Sequence, residues 1–357
     1  MQPRGGTTIL RWPLVLLGVV LVVLTLQWTR AVSLPLALAV FIIALAWPVQ
    51  VLLERRLPRW LAYIGTCLCV LALLALFIAL LWTGIRLMGE GIAQYRESLD
   101  QSWTELLRWA RRNGVTLPTT QIEEVGFAPL LSLLRVTLEE TYSAVGLLGL
   151  TFVFMLLGLI EARTFAAKLR QLPAGGKLRL AAIEIGQKFR RYMLVRTFVS
   201  IVTGVLTWAY ALVVGLELAL TWGLIAFVLN YIPFVGSILA IAPPVLFAAV
   251  QSGDWAFPIV VFLGMATIQV TMGNYVDPRL EGRALALSPL VVVVSIFFWG
   301  LVWGVPGAFI GVPLTIGIAT ACSRFEATEW LALLLGNTPP RTGVQAEESP
   351  GKERAAE

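Results

Sequence analysis

The segment 230-NYIPFVGSILAIAPPV-245 lies within an apolar run from Leu216 to Val250 in which only Glu217 and Asn230 are strongly polar. A single membrane helix needs about 20 apolar residues. This run is too long for one crossing. Split at Pro233 it yields two arms of about 16 residues, each short for a full span. The joint Ile232-Pro233-Phe234-Val235-Gly236 therefore describes either two tilted spans or one re-entrant hairpin. A second segment of the same kind follows at 289–322, broken at Trp303-Gly304-Val305-Pro306-Gly307. Irregular backbone at membrane depth is tolerated only where it is buried in protein or lines a wet cavity. Paired broken segments in opposite orientation point to a transporter site near the bilayer midplane. The plainer alternative is a pair of Pro-kinked helices, since Pro and Gly are common in membrane spans.

Composition sets the class. The 357 residues are 58% hydrophobic and only 13% charged, about half the charge of a soluble domain. The chain reads as an all-α polytopic membrane protein with about eight membrane segments, counting the two Pro/Gly-broken hairpins. His is absent, which excludes His-based acid–base chemistry, His metal ligands and His proton relays. Cys67, Cys69 and Cys322 are the three cysteines. Cys67 and Cys69 are two apart on an apolar helix, so they face different ways and share no metal. No metal site, cofactor, P-loop or hydrolase motif is expected, and the net charge of +6 is not a nucleic-acid signal.

Apolar segments occur at about 13–28, 31–53, 61–85, 144–162, 197–215, 217–232, 235–251, 255–275, 289–303 and 307–322. The first, with Arg4 and Arg11 ahead of it and Ala31-Val32-Ser33 after it, loosely imitates a signal peptide, but another membrane segment follows it. Segment 163–196 carries nine bases against Glu184 alone and reads as a cytoplasmic loop by the positive-inside rule. The Glu54–Arg59 turn and both termini fall on the same side. Segment 86–143, with eight acids and six bases, falls outside. Its Leu99, Trp103, Leu106, Leu107 and Ala110 recur at helical spacing, and Thr120-Gln121-Ile122-Glu123 resembles a capping box, so it predicts an external helical hairpin. The organisation is then 1–88, N-terminal membrane helices; 89–143, the external amphipathic hairpin; 144–196, a membrane helix and basic segment; 197–323, the core with both broken hairpins; and 337–357, a Pro-, Gly- and charge-rich tail expected to be disordered.

Polar residues inside the membrane are costly and mark candidate sites. They are Asn230 beside the first break, with Pro233 and Gly236 at its tip; Gln269 and Asn274 on the helix 255–275; Asp277 and Arg279 after it; and Gly304, Pro306 and Gly307 at the second tip. Asn and Gln offer both donors and acceptors to a polyol or hydrated ion. Asp277 has Arg279 and Arg283 as candidate partners, or titrates, or belongs to a solvated loop whose surface pairs contribute little.

The runs 229-LNYIPFVGSILAIAPP-244 and 274-NYVDPRLEGRALALSPLVVVVSIFFWGLVWGVPGAFIGVPL-314 resemble the AI-2E transporter family. The motif residues are Asn230, Ile232, Pro233, Phe234, Val235 and Gly236; then Asn274, Pro278, Arg279, Leu280 and Gly282; then Gly304, Val305, Gly307, Gly311, Val312 and Pro313. The resemblance covers roughly 10–335. It implies a multi-pass protein of the bacterial inner membrane and a homo-oligomer, a pentamer being the number put forward. It also implies export of the signal autoinducer-2 in some members and Na⁺(Li⁺)/H⁺ antiport in others. Partners are then the bilayer, a small polar solute or ion, and further copies of the chain. A non-transporting scaffold, binding through 86–143 and 163–196, is the alternative from another class.

Overall fold

A bilayer core offers backbone N–H and C=O groups no water, so a spanning chain satisfies them within helices. The protein follows this rule. The structure, a computed structural model, describes residues 6–94, 108, 112, 141–172, 174–281 and 287–336. Among these there is no strand, only an isolated bridge between Leu287 and Gly336. The helices are α1 (Gly6–Trp28), α2 (Arg30–Glu54), α3 (Arg59–Gln94), α4 (Thr141–Leu169), α5 (Gly175–Val214), α6 (Ala219–Leu229), α7 (Val235–Ser252) and α8 (Ala256–Thr271). A π-helical turn, Met272–Val276, leads into the short α9 (Asp277–Glu281), followed by α10 (Pro289–Cys322) and α11 (Glu329–Leu335). By length and composition seven of the described helices suffice to cross a membrane. The chain is an all-α polytopic membrane protein.

Both broken segments fold back on themselves. In the first, α6 and α7 are joined through Asn230–Phe234, and a Cβ on Gly236 would lie 1.8 Å from the Leu229 carbonyl oxygen. Phe234 carries the turn at φ +60°, a conformation that costs a non-glycine residue about 1–3 kcal/mol. In the second, α10 is helical to Trp303, turns at Gly304 (φ 70°, ψ −152°) and becomes helical again. That φ/ψ pair is accessible essentially only to glycine. The two arms of α10 are in contact: Trp299 Nε1 donates to Thr315 Oγ1 at 3.2 Å, and a Cβ on Gly311 would meet the Ser295 carbonyl oxygen at 3.0 Å. Sixteen residues of straight helix would separate such groups by about 24 Å.

α5 is the axis around which the rest is arranged. At its C-terminal end Gln251, from the open end of the first hairpin, accepts from Glu217 N and donates to Gly215 O. Toward its N-terminal end Lys188 donates to Thr320 at 3.0 Å, and Arg324 pairs with Glu184. The hairpins thus open toward opposite ends of one helix. α5 crosses α6 at backbone distance: a Cβ on Gly204 or on Gly223 would come within 2.8 Å of the other's carbonyl oxygen. Small residues permit such close crossings where lipid supplies no hydrophobic drive.

One expectation fails. Segment 163–196 is not a loop. α4 runs to Leu169 and α5 begins at Gly175, so its charges, Arg170 apart, lie on helices. Of the expected external hairpin, α3 continues through Gln94; most of 95–140 and all of 337–357 lie outside the described residues. Cys67 is buried and Cys69 exposed, in keeping with their spacing.

Candidate functional site

Three successive turns of α5 collect the buried polar chemistry. Arg196, Ser200, Thr203 and Thr207 recur at intervals of four, three and four and are all buried, a polar stripe on an otherwise apolar span. Asn230, buried at the first hairpin break, donates through Nδ2 to Ser200 Oγ at 3.3 Å. Its neighbour Tyr231 donates to Thr197 Oγ1 at 3.0 Å. Arg196 Nη1 donates to Asp277 Oδ2 at 2.7 Å, and its guanidinium lies 5.6 Å from the centre of the Tyr192 ring. Arg196 is 5% exposed and Asp277 9%, so this ion pair is desolvated. It persists because each charge answers the other.

The carboxylate therefore does not meet Arg279, which is exposed; Arg283 lies outside the described residues. Nor is Asp277 a solvated loop residue. The π turn explains its placement. Each π ring closes i→i+5 rather than i→i+4, so the residues after it lag in rotation, and Asp277 comes round to Arg196 on α5. Asn274, inside the π turn, is exposed and does not join the group. Gln269 Oε1 and Asp277 Oδ1 are both buried and receive no hydrogen bond from any described residue. Buried acceptors of that kind are rare.

The second hairpin tip lies elsewhere. Trp303 Nε1 donates to Ser33 Oγ on α2 at 3.0 Å, and Trp299 and Trp303 stack at 4.8 Å. Gly304 is exposed, Pro306 half-buried and Gly307 buried. Pro233 and Gly236 are buried. The tip of the first hairpin and the arms of the second meet: Tyr231 stacks on Phe309 at 5.2 Å, and Ile232 and Val235 pack against the cluster of Tyr192, Ile296, Val312 and Ile316. Of the sequence-derived residues, Asn230, Gln269 and Asp277 are buried with polar work to do. Arg196, Thr197 and Ser200 were not anticipated. The polar stripe 196/200/203/207 is the signal that identifies them.

Beside this group lies a cavity of about 740 Å³ bounded by α2, α3, α5, α6 and Phe309. It is apolar, and the hydroxyls that reach it are already engaged: Thr197 with Tyr231, Thr66 with Gln50. Among the described residues no His, Cys, Asp or Glu group is placed to hold a metal.

The family model of the AI-2E family transporter matches residues 14–326. The chain belongs to the AI-2E transporter family. Its similarity to the Escherichia coli AI-2 transport protein TqsA is 32% identity over 330 residues, covering 90% of this chain and 95% of that protein. A Haemophilus influenzae chain, provisionally named a transport protein, is 30% identical over 340 residues, 90% of this chain and 96% of its own length. An AI-2E member with this helix content is a multi-pass membrane transporter. Its relatives carry the names of transport proteins, not of enzymes.

Proposed function

We propose that the protein is a secondary transporter that exports a small polar solute of the autoinducer-2 kind across the bacterial inner membrane, with both termini cytoplasmic and copies assembled as a homo-oligomer. The observation that carries the reading is the buried polar stripe of α5, with Asn230 at a hairpin break and two buried acceptors, Gln269 Oε1 and Asp277 Oδ1, that no described residue satisfies. Hydroxyl groups of a polyol would supply the donors those acceptors lack. The opposed hairpins supply the moving parts: loosening the first opens the polar stripe toward one end of α5, loosening the second toward the other, and access alternates. Asn230→Ala should abolish solute uptake into inside-out vesicles at unchanged expression. Full uptake by this variant would remove Asn230 from the site.

One observation favours a second reading, Na⁺(Li⁺)/H⁺ antiport. Asp277 is a buried carboxylate with one oxygen unmatched, a group able to exchange a proton for a cation when its partner Arg196 moves. Liposomes holding the purified protein distinguish the readings. Antiport predicts Na⁺-driven proton movement that Asp277→Asn eliminates. Solute export predicts counterflow of the solute without any Na⁺ requirement.

A further inference from the structure

The apolar cavity is a poor place for the solute. A polyol entering it would shed water and meet only hydroxyls already bonded to the protein. Its shape and its mouth indicate another ligand. Along α3 it runs from Thr66 to Leu80, fourteen residues or about 21 Å. A single hydrocarbon chain fits a trough of that length, and the exposed arginines beyond its end favour a lipid over a helix of a second copy as its occupant. The walls stay accessible from the bilayer side: Leu73 is 68% exposed and Leu76 57%.

The α2–α3 turn, beyond the Val49 and Thr66 end of the cavity, is basic. Arg55, Arg56 and Arg59 are all exposed, and none forms an ion pair among the described residues. The one acid in the turn, Glu54, is neutralised by Arg163. Arg59 stands seven residues before Thr66, and Leu73 and Leu80 follow at the same interval, so Arg59 shares the cavity face of α3. Arg56 stands seven residues after Val49, which lines the cavity on α2. Trp60, 62% exposed, sits beside them as an interfacial anchor.

We propose that this groove is a binding site for one anionic phospholipid of the leaflet that holds the α2–α3 turn. Arg56 and Arg59 hold the headgroup phosphate, and an acyl chain lies along α3 toward Phe77 and Tyr231. Native mass spectrometry of the full-length protein, stripped of lipid and offered phosphatidylglycerol or phosphatidylcholine, tests it. The wild type should retain one phosphatidylglycerol per chain with a preference of about tenfold or more over phosphatidylcholine, given the attraction of two surface arginines for anionic lipid. The R56Q/R59Q double variant, altered only at exposed positions, should lose that preference while still taking up either lipid. Leu73→Trp, which fills the groove from an exposed position, should lose retention of both; Leu76→Trp serves as its duplicate. Free glycerol phosphate should not displace the bound lipid. Equal retention of the two lipids by the wild type, retention unchanged by both Trp variants, or full displacement by glycerol phosphate would each overturn the proposal. So would a Trp variant that disrupts oligomers and leaves lipid retention intact, since a second copy would then occupy the face.

Discussion

Arg196 and Asp277 form a desolvated pair, and the consequences of breaking it are unequal. Removing one partner strands the other charge in a dry site, at about 3–5 kcal/mol. Arg196→Leu and Asp277→Leu should each lower the melting temperature of the detergent-purified protein sharply. The double Leu variant should recover much of the loss, because apolar replacement of a buried pair is often near neutral, yet it should remain inactive in flux. A double variant as unstable as the singles would show that the pair is not the coupled unit described. Asn230 behaves differently: its bond to Ser200 joins two neutral groups, so Asn230→Ala should cost only about 1–3 kcal/mol and leave a folded protein in which to measure flux.

At the scale of the element, two glycines of the second hairpin make separable demands. Gly304 has open space around its Cα but sits at φ 70°, ψ −152°; Gly304→Ala should cost about 1–3 kcal/mol through backbone strain alone. Gly307 lies in contact with the opposite arm, where a Cβ would be 2.1 Å from the Trp299 carbonyl oxygen. Gly307→Ala should pry the arms apart and abolish the Trp299–Thr315 bond, visible as altered tryptophan fluorescence. Equal spectra for the two variants would contradict this distinction. The hairpins were legible in the sequence because their cause is local: Pro233, Gly236, Gly304 and Pro306 interrupt apolar runs whose arms are each short for a span. The arrangement around α5 was not. Arg196 ends a series of nine bases, and a charge at the edge of a basic stretch reads as solvated until the helix carrying it is known to be continuous. Asp277 was among the candidates, but its partner was missed for a related reason, since a π turn leaves no composition signature yet rotates every residue after it. Asn274, favoured by type alone, fell on the exposed side of that turn.

Across the whole molecule, the hairpins meet at the cluster of Tyr192, Ile296, Val312 and Ile316, against which Ile232 and Val235 pack. If transport requires them to part, bridging Val235→Cys and Ile296→Cys with a flexible reducible bifunctional thiol reagent, in a background lacking Cys67, Cys69 and Cys322, should stop flux, and reduction should release it. Flux through the bridged form would show that the hairpins work without separating. Membrane class and the opposed broken segments could be read from hydropathy and Pro/Gly placement; which helix unites them could not, because contacts between distant segments leave no periodic trace in either one.

Residues 196, 197 and 200 lie within about 6 Å of axial rise on α5, and each is tied to a different partner: the start of α9, the tip of the first hairpin, and the break before it. A rotation of this helix by a single residue step, about 100°, carries all three away from their partners together. If α5 turns during transport, the three bonds break together, and single-molecule distance traces across the first hairpin should show two states with abrupt passage between them; a graded drift would show that the partners leave one at a time.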